Sequence, residues 1–118
     1  MNLIYIGDPM CSWCFGFAPV IQGLYARHKH EMTMTLKMGG LHPGNDYVVE
    51  GAYCRFLRAH WIEIGQRTGQ EFSLDILDRG SWIYDTEKAC RALVTVRRLK
   101  PGAEWVYMPL IQAGFYTH

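Results

Sequence analysis

The chain has 118 residues, 49% of them apolar and 19% charged, with a formal net charge of +1. Length and composition suit one packed globular domain, and so small a charge gives no reason to expect nucleic acid or an anionic membrane as partner. No apolar run approaches membrane-spanning length, and the N-terminus lacks the basic-then-apolar pattern of a secretory signal.

Asn2 to Asp8 reads as a short buried strand, broken by Gly7 and Asp8-Pro9. From Trp13 to about His30, Cys14, Phe17, Ala18, Ile21, Leu24 and Tyr25 follow helical spacing, with a kink expected at Pro19. Met32, Met34, Leu36 and Met38 alternate as one side of a second strand, and Gly39 to Asn45 forms a loop. Val49, Ala52, Tyr53, Phe56, Leu57, His60, Trp61 and Ile64 predict a second helix, ending near Gly65 or Gly69. Phe72 to Leu77 is compatible with a short strand or an extended packing segment. Asp85 reads as the N-cap of a third helix running through Leu99 to the stop Pro101-Gly102. Glu104 to Tyr116 has a helical period interrupted by Pro109, so it is either kinked or in two pieces. No internal repeat or linker is visible.

The chemistry lies at Cys11-Ser12-Trp13-Cys14, which follows the apolar run Leu3-Ile4-Tyr5-Ile6 and opens a helix. A strand feeding Cys-x-x-Cys at a helix start is the arrangement of a dithiol redox site. Cysteines three apart there lie on nearly one face, and the free N–H groups of the first turn favour a thiolate on the first. Cys11 is thus the expected nucleophile and Cys14 the resolving thiol. A helix terminus contributes ~0.3–1 kcal/mol when exposed and up to ~2 when partly buried, a shift of roughly one pKa unit. A strongly acidic thiol needs further hydrogen bonds to sulfur. A zinc site would need about four ligands, and no second Cys-x-x-Cys or His-x-x-x-His follows, so no metal is expected; dithiol exchange requires no organic cofactor either.

Three segments carry a resemblance. Tyr5 to Phe17, with Asp8-Pro9-Met10-Cys11-Ser12-Trp13-Cys14 at its centre, resembles the active-site segment of DsbA-like thiol–disulfide oxidoreductases, particularly their FrnE-type branch. Met38 to Gly44 is similar to the loop after that branch's second strand, and Tyr84 to Ala92 to a helix start in its inserted helical region. The resemblance implies an α/β, thioredoxin-like fold with a helical insertion: residues 1–45 as the strand–helix–strand core, 46–118 as the insertion. Such proteins continue into a cis-proline loop, a hairpin and a last helix. None of Pro9, Pro19, Pro43, Pro101 and Pro109 occupies that place. The expectation is therefore a single truncated domain with two strands and four or five helices. A two-stranded sheet is marginal alone, so a homodimer that pairs or exchanges elements between copies is expected to complete it.

Trp13 and Phe15 beside the dithiol, and His42 in the loop after the second strand, are candidate substrate-binding residues, with Phe15 and Phe17 equally compatible with core positions. Asp8 could accept a proton near Cys14, although Asp-Pro is also an ordinary turn start. Cys54 and Cys90 suit buried packing. The expected function is disulfide exchange on a protein or low-molecular-weight disulfide in the cytoplasm, where a Cys-x-x-Cys is more often catalytic than structural. Two alternatives stand beside it: a kappa-type glutathione transferase or isomerase relative, against which the first-position Cys11 argues, and an inactive remnant serving only in assembly.

Overall fold

Alternating exposure along Leu3, Ile4, Tyr5 and Ile6 shows the two-residue period of a strand with one covered face. In this computed structural model, which describes residues Met1 to His118, β1 (Asn2–Gly7) pairs in parallel with β2 (Thr33–Met38). A parallel pair needs a crossover, and α1 (Ser12–His28) supplies it. Leu3, Tyr5, Met34, Leu36 and Met38 face the helices. On the opposite face, Ile4 and Ile6 remain 51% and 65% exposed.

Pro19 does not divide α1, which runs as one helix from Ser12 to His28. Proline has no N–H to give the carbonyl four residues back. That carbonyl, on Phe15, accepts the Gln70 side-chain amide at 3.0 Å instead. Pro109 likewise lies within a single α5 (Glu104–Tyr116), so of the two alternatives, a kinked helix or two pieces, the second is excluded.

Between these elements the structure departs from the sequence reading in three places. Val49 belongs to β3 (Val48–Val49), which pairs antiparallel with β4 (Trp82–Ile83); the helix expected from Val49 begins as α2 (Gly51–Thr68). Gly69 ends α2 in the left-handed conformation, φ +80°, where a side chain would be strained. The ambiguous segment at 72–77 is no strand; it leads into a single turn, α3 (Asp75–Asp78). The third long helix, α4, spans Glu87–Leu99 and has Thr86 at its N-cap position. Asp85, one residue earlier, still caps it by accepting the Glu87 N–H at 3.0 Å.

Two apolar clusters hold the molecule together. Phe15, Val49, Leu57, Trp61, Leu77, Tyr84 and Tyr116 form one, and Ile21, Leu36, Leu93, Trp105 and Met108 the other. Both α1 and α5 contribute to each cluster, which ties the start of α1 rigidly between them.

Candidate active site

Cys11 occupies the N-cap of α1 in extended backbone conformation, and Cys14 lies one turn on. Their side chains approach to 3.4 Å, and both are half-buried free thiols. Cys14 is lowered to about 6, first by the hydrogen bond from Cys11, then against burial by the Asp8 backbone and the Tyr5 hydroxyl. Cys11 is raised, first because its hydrogen bond to Cys14 holds the proton and next because it is buried. The backbone N–H groups of Cys14 and Trp13 pull Cys11 the other way, as expected at a helix N-terminus. One proton thus lies between the two sulfurs. The pair gives up its first proton easily; losing the one that remains would put two negative charges side by side. The further hydrogen bonds that the helix terminus alone could not supply come from Cys11, Asp8 and Tyr5. These bonds stabilise the charge on the pair as a whole, beyond what the helix terminus gives.

The Asp-Pro turn is more than a turn. The Asp8 carboxylate is only 3% exposed and accepts the Met10 N–H at Oδ1 and the Leu41 N–H at Oδ2, both at 2.8 Å. Cys90 of α4 donates its thiol to Oδ2 at 3.2 Å. Burial and then Asp8 push the Cys90 thiol up to about 12, so it remains a protonated donor. Next to it, the His42 N–H donates to Thr86 Oγ1 at 3.0 Å, and the Thr86 N–H returns a bond to the His42 carbonyl at 3.2 Å. Three sequence segments thus meet in one place: the dithiol turn, the Gly39–Asn45 loop and the start of α4.

Ile6, Gly7, Asp8, Gly39, Gly40 and Leu41 line an open cleft of about 320 Å³ with the two cysteines. A second groove, about 250 Å³, runs from Cys11 past Trp13, His42, Phe56 and His60. Trp13 is 41% exposed and meets the His60 ring edge-on, and Phe56 stacks on His60. His42 lies against Tyr84 at 5.0 Å between ring centres. Of the two readings open for Phe15 the structure shows the core one: it is buried and stacked on Tyr116 at 4.9 Å, away from the solvent-exposed surface. Phe17, outside the core, is exposed. The sequence reading missed Phe56, His60, Tyr84 and Tyr116; the first two share a helical face with Leu57 and Trp61 and looked like ordinary packing residues.

A dithiol at the start of a helix crossing between parallel strands defines an α/β chain of the thioredoxin-like kind. No family model matches the sequence, and no curated protein matches it. Solved structures do. A Nitrosomonas europaea protein, described provisionally as a protein disulfide isomerase, superposes with TM-score 0.81 at 35% identity, over 98% of this chain and 54% of its own. The cytosolic disulfide reductase DsbM from Pseudomonas aeruginosa matches with TM-score 0.78 at 25% identity, over 98% of this chain and 55% of its own. Its structure with GSH gives 0.79 and 27%, with the same coverage. The chain is DsbA-like in fold over essentially all its length, and it spans about half the length of the solved structures it matches.

Proposed function

We propose that this chain carries out thiol–disulfide exchange through Cys11 and Cys14. The observation behind this reading is the pair of free thiols 3.4 Å apart at the α1 N-terminus, opening on a cleft. Cys11 thiolate, formed as the shared proton moves to Cys14, attacks one sulfur of a substrate disulfide; a mixed disulfide forms and one substrate thiolate leaves. Cys14 then loses its proton and attacks Cys11 Sγ. The Cys11–Cys14 disulfide forms, and the second substrate thiolate departs. Two electrons pass to the substrate, the one proton on the pair goes to a departing thiolate and water supplies the other, and the same steps in reverse oxidise a substrate dithiol.

Trp13, with Phe56 and His60, forms the surface beside the nucleophile, and His42 lines the same groove. Disulfide substrates accord with the neighbours described as an isomerase and a reductase. The GSH in one of them favours a small thiol as an alternative partner to a protein. The cytoplasmic reading draws on the neighbour described as cytosolic; no helix is long and apolar enough to cross a membrane. The open face of β1, with Ile4 and Ile6, together with exposed Val20, favours a homodimer of the 118-residue chain, which sedimentation at micromolar concentration tests.

The functional test is insulin-disulfide reduction. Wild-type protein is expected to accelerate it, Cys11→Ser to abolish the effect and Cys14→Ser to accumulate mixed disulfide. Equal rates for wild type and Cys11→Ser would overturn the reading.

A further inference from the structure

Two buried phenols converge on one backbone carbonyl, that of the residue before Cys11. Tyr116, the last residue of α5, donates its hydroxyl to the Met10 oxygen at 2.6 Å. Tyr84, between β4 and α4, donates to the same oxygen. The phenol oxygens lie 3.1 Å apart, and Tyr116 and Tyr84 are 0% and 2% exposed. A carbonyl oxygen has two lone pairs, and these two hydroxyls saturate them.

Packing alone does not call for either hydroxyl. Tyr116 is held by stacking on Phe15 and by the edges of Phe72 and Trp61, at 4.9, 5.2 and 5.1 Å between ring centres. Tyr84 contacts Trp82 and Phe115 at 5.2 and 5.7 Å. Phenylalanine would fill the same space in both positions. What the hydroxyls add is a fixed Met10–Cys11 peptide: its C=O end is held by the phenols, while its N–H end donates to the Asp8 carbonyl at 3.1 Å.

We propose that Tyr84 and Tyr116 are positioning residues for the dithiol, their hydroxyls fixing and polarising the Met10 carbonyl so that its negative end does not oppose the thiolate. Burial raises both phenols, and the nearby Cys11 and Asp8 raise them further, so both remain protonated donors where thiols react. The catalytic purpose rests on the exchange reading above, but the acidity of the thiols can be measured without it.

The test uses Tyr84→Phe, Tyr116→Phe and the double variant, each checked for native near-ultraviolet circular dichroism. The readout is the pH dependence of alkylation of the reduced protein by iodoacetamide. In the double variant the midpoint is expected to move up by about one pH unit, on the order of one hydrogen bond to a neutral carbonyl. Well below the midpoint the alkylation rate should fall about threefold, because a tenfold smaller thiolate fraction is partly offset by higher nucleophilicity. Each single variant should show a smaller shift in the same direction, and these decide the matter if the double variant does not fold. Phe115→Leu loosens the same ring cluster without removing a hydroxyl, and it should leave the midpoint in place. An unmoved midpoint in the folded single variants, or an equal shift in Phe115→Leu, overturns the proposal. The exchange reading stands or falls separately, on Cys11→Ser in the insulin assay.

Discussion

Cys90 Sγ lies 3.2 Å from Asp8 Oδ2, although 82 residues separate them along the chain. The contact joins the start of α4 to the turn that presents the dithiol. Its partner, Asp8, also takes the amides of Met10 and Leu41, so one carboxylate fixes three segments around the cleft. Substituting Asp8→Asn leaves one acceptor oxygen and turns an NH₂ group towards a donor. Stability to urea is expected to fall by about 1–3 kcal/mol, the cost of a buried unsatisfied donor. The thiol titration should move the other way. The Asp8 charge raises Cys14, so its removal takes the midpoint below about 6. Unchanged urea stability would reduce Asp8 to an ordinary turn residue.

These contacts mark the boundary of what the sequence discloses. The β1–α1–β2 unit was legible because Leu3 to Ile6 and Met32 to Met38 have strand periods and Cys-x-x-Cys opens a helical one. A two-residue strand has no period, which is why β3 and β4 were invisible and Val49 was assigned to a helix. Asp-Pro reads the same whether the carboxylate faces solvent or lies buried under a thiol. Cys90 was read as a packing residue because its donor role needs Asp8 beside it. Tyr84 and Tyr116 reach the site from 74 and 106 residues beyond Met10, and no local pattern could report that convergence.

The thiol pair should leave a signature in stability as well as in reactivity. Cys14 is lowered from 9.0 to about 6 in the folded protein, so above its folded value the native state has released a proton that the unfolded chain still holds. The reduced protein should therefore gain stability as pH rises from 6 to 9, and lose that contribution as pH falls through 6. Cys11 is raised, so its own contribution is present below 9.0 and is lost above it. Urea denaturation of reduced wild type is expected to show a maximum near pH 9, and Cys14→Ser should lack the rise between pH 6 and 9. Thiolate absorbance should give the same midpoint, about 6; a flat stability profile would show that the sulfurs do not share a proton.

Trp13 and Phe15, two positions apart on α1, should separate function from stability. Trp13 is 41% exposed beside Cys11, whereas Phe15 is 7% exposed between Phe72 and Tyr116. Phe15→Ala is expected to cost about 3–5 kcal/mol, as for a large core ring. Trp13→Ala should lie within about 0.5 kcal/mol of wild type, yet lower kcat/KM for an apolar peptide disulfide by roughly tenfold. If Trp13→Ala leaves kcat/KM unchanged, the groove past Phe56 and His60 is not where substrate rests.

Two glycines of the same helix should respond to alanine with opposite signs. In an exposed helix interior, Gly→Ala gains about 0.5–1 kcal/mol from backbone entropy. At Gly23 nothing lies within 4 Å of a new Cβ, so Gly23→Ala should be stabilising by about that amount. At Gly16 the Cβ would sit 2.8 Å from Thr68 Cγ2 and 2.9 Å from Ile64 Cγ2, where α1 crosses α2. Neither neighbour has room to yield. Ile64 is 0% exposed, and Thr68 Oγ1 donates to the Ile64 carbonyl at 2.7 Å while accepting the Gln70 N–H at 3.3 Å. Gln70 in turn supplies the donor that Pro19 cannot give to Phe15. Overpacking of this kind costs about 1–3 kcal/mol, which exceeds the helix gain, so Gly16→Ala should be net destabilising by about 1 kcal/mol. Because the strain falls on the turn of α1 after Cys14, it should also slow alkylation of the dithiol. Stabilisation by both substitutions would mean that α1 and α2 are not in close contact at Gly16.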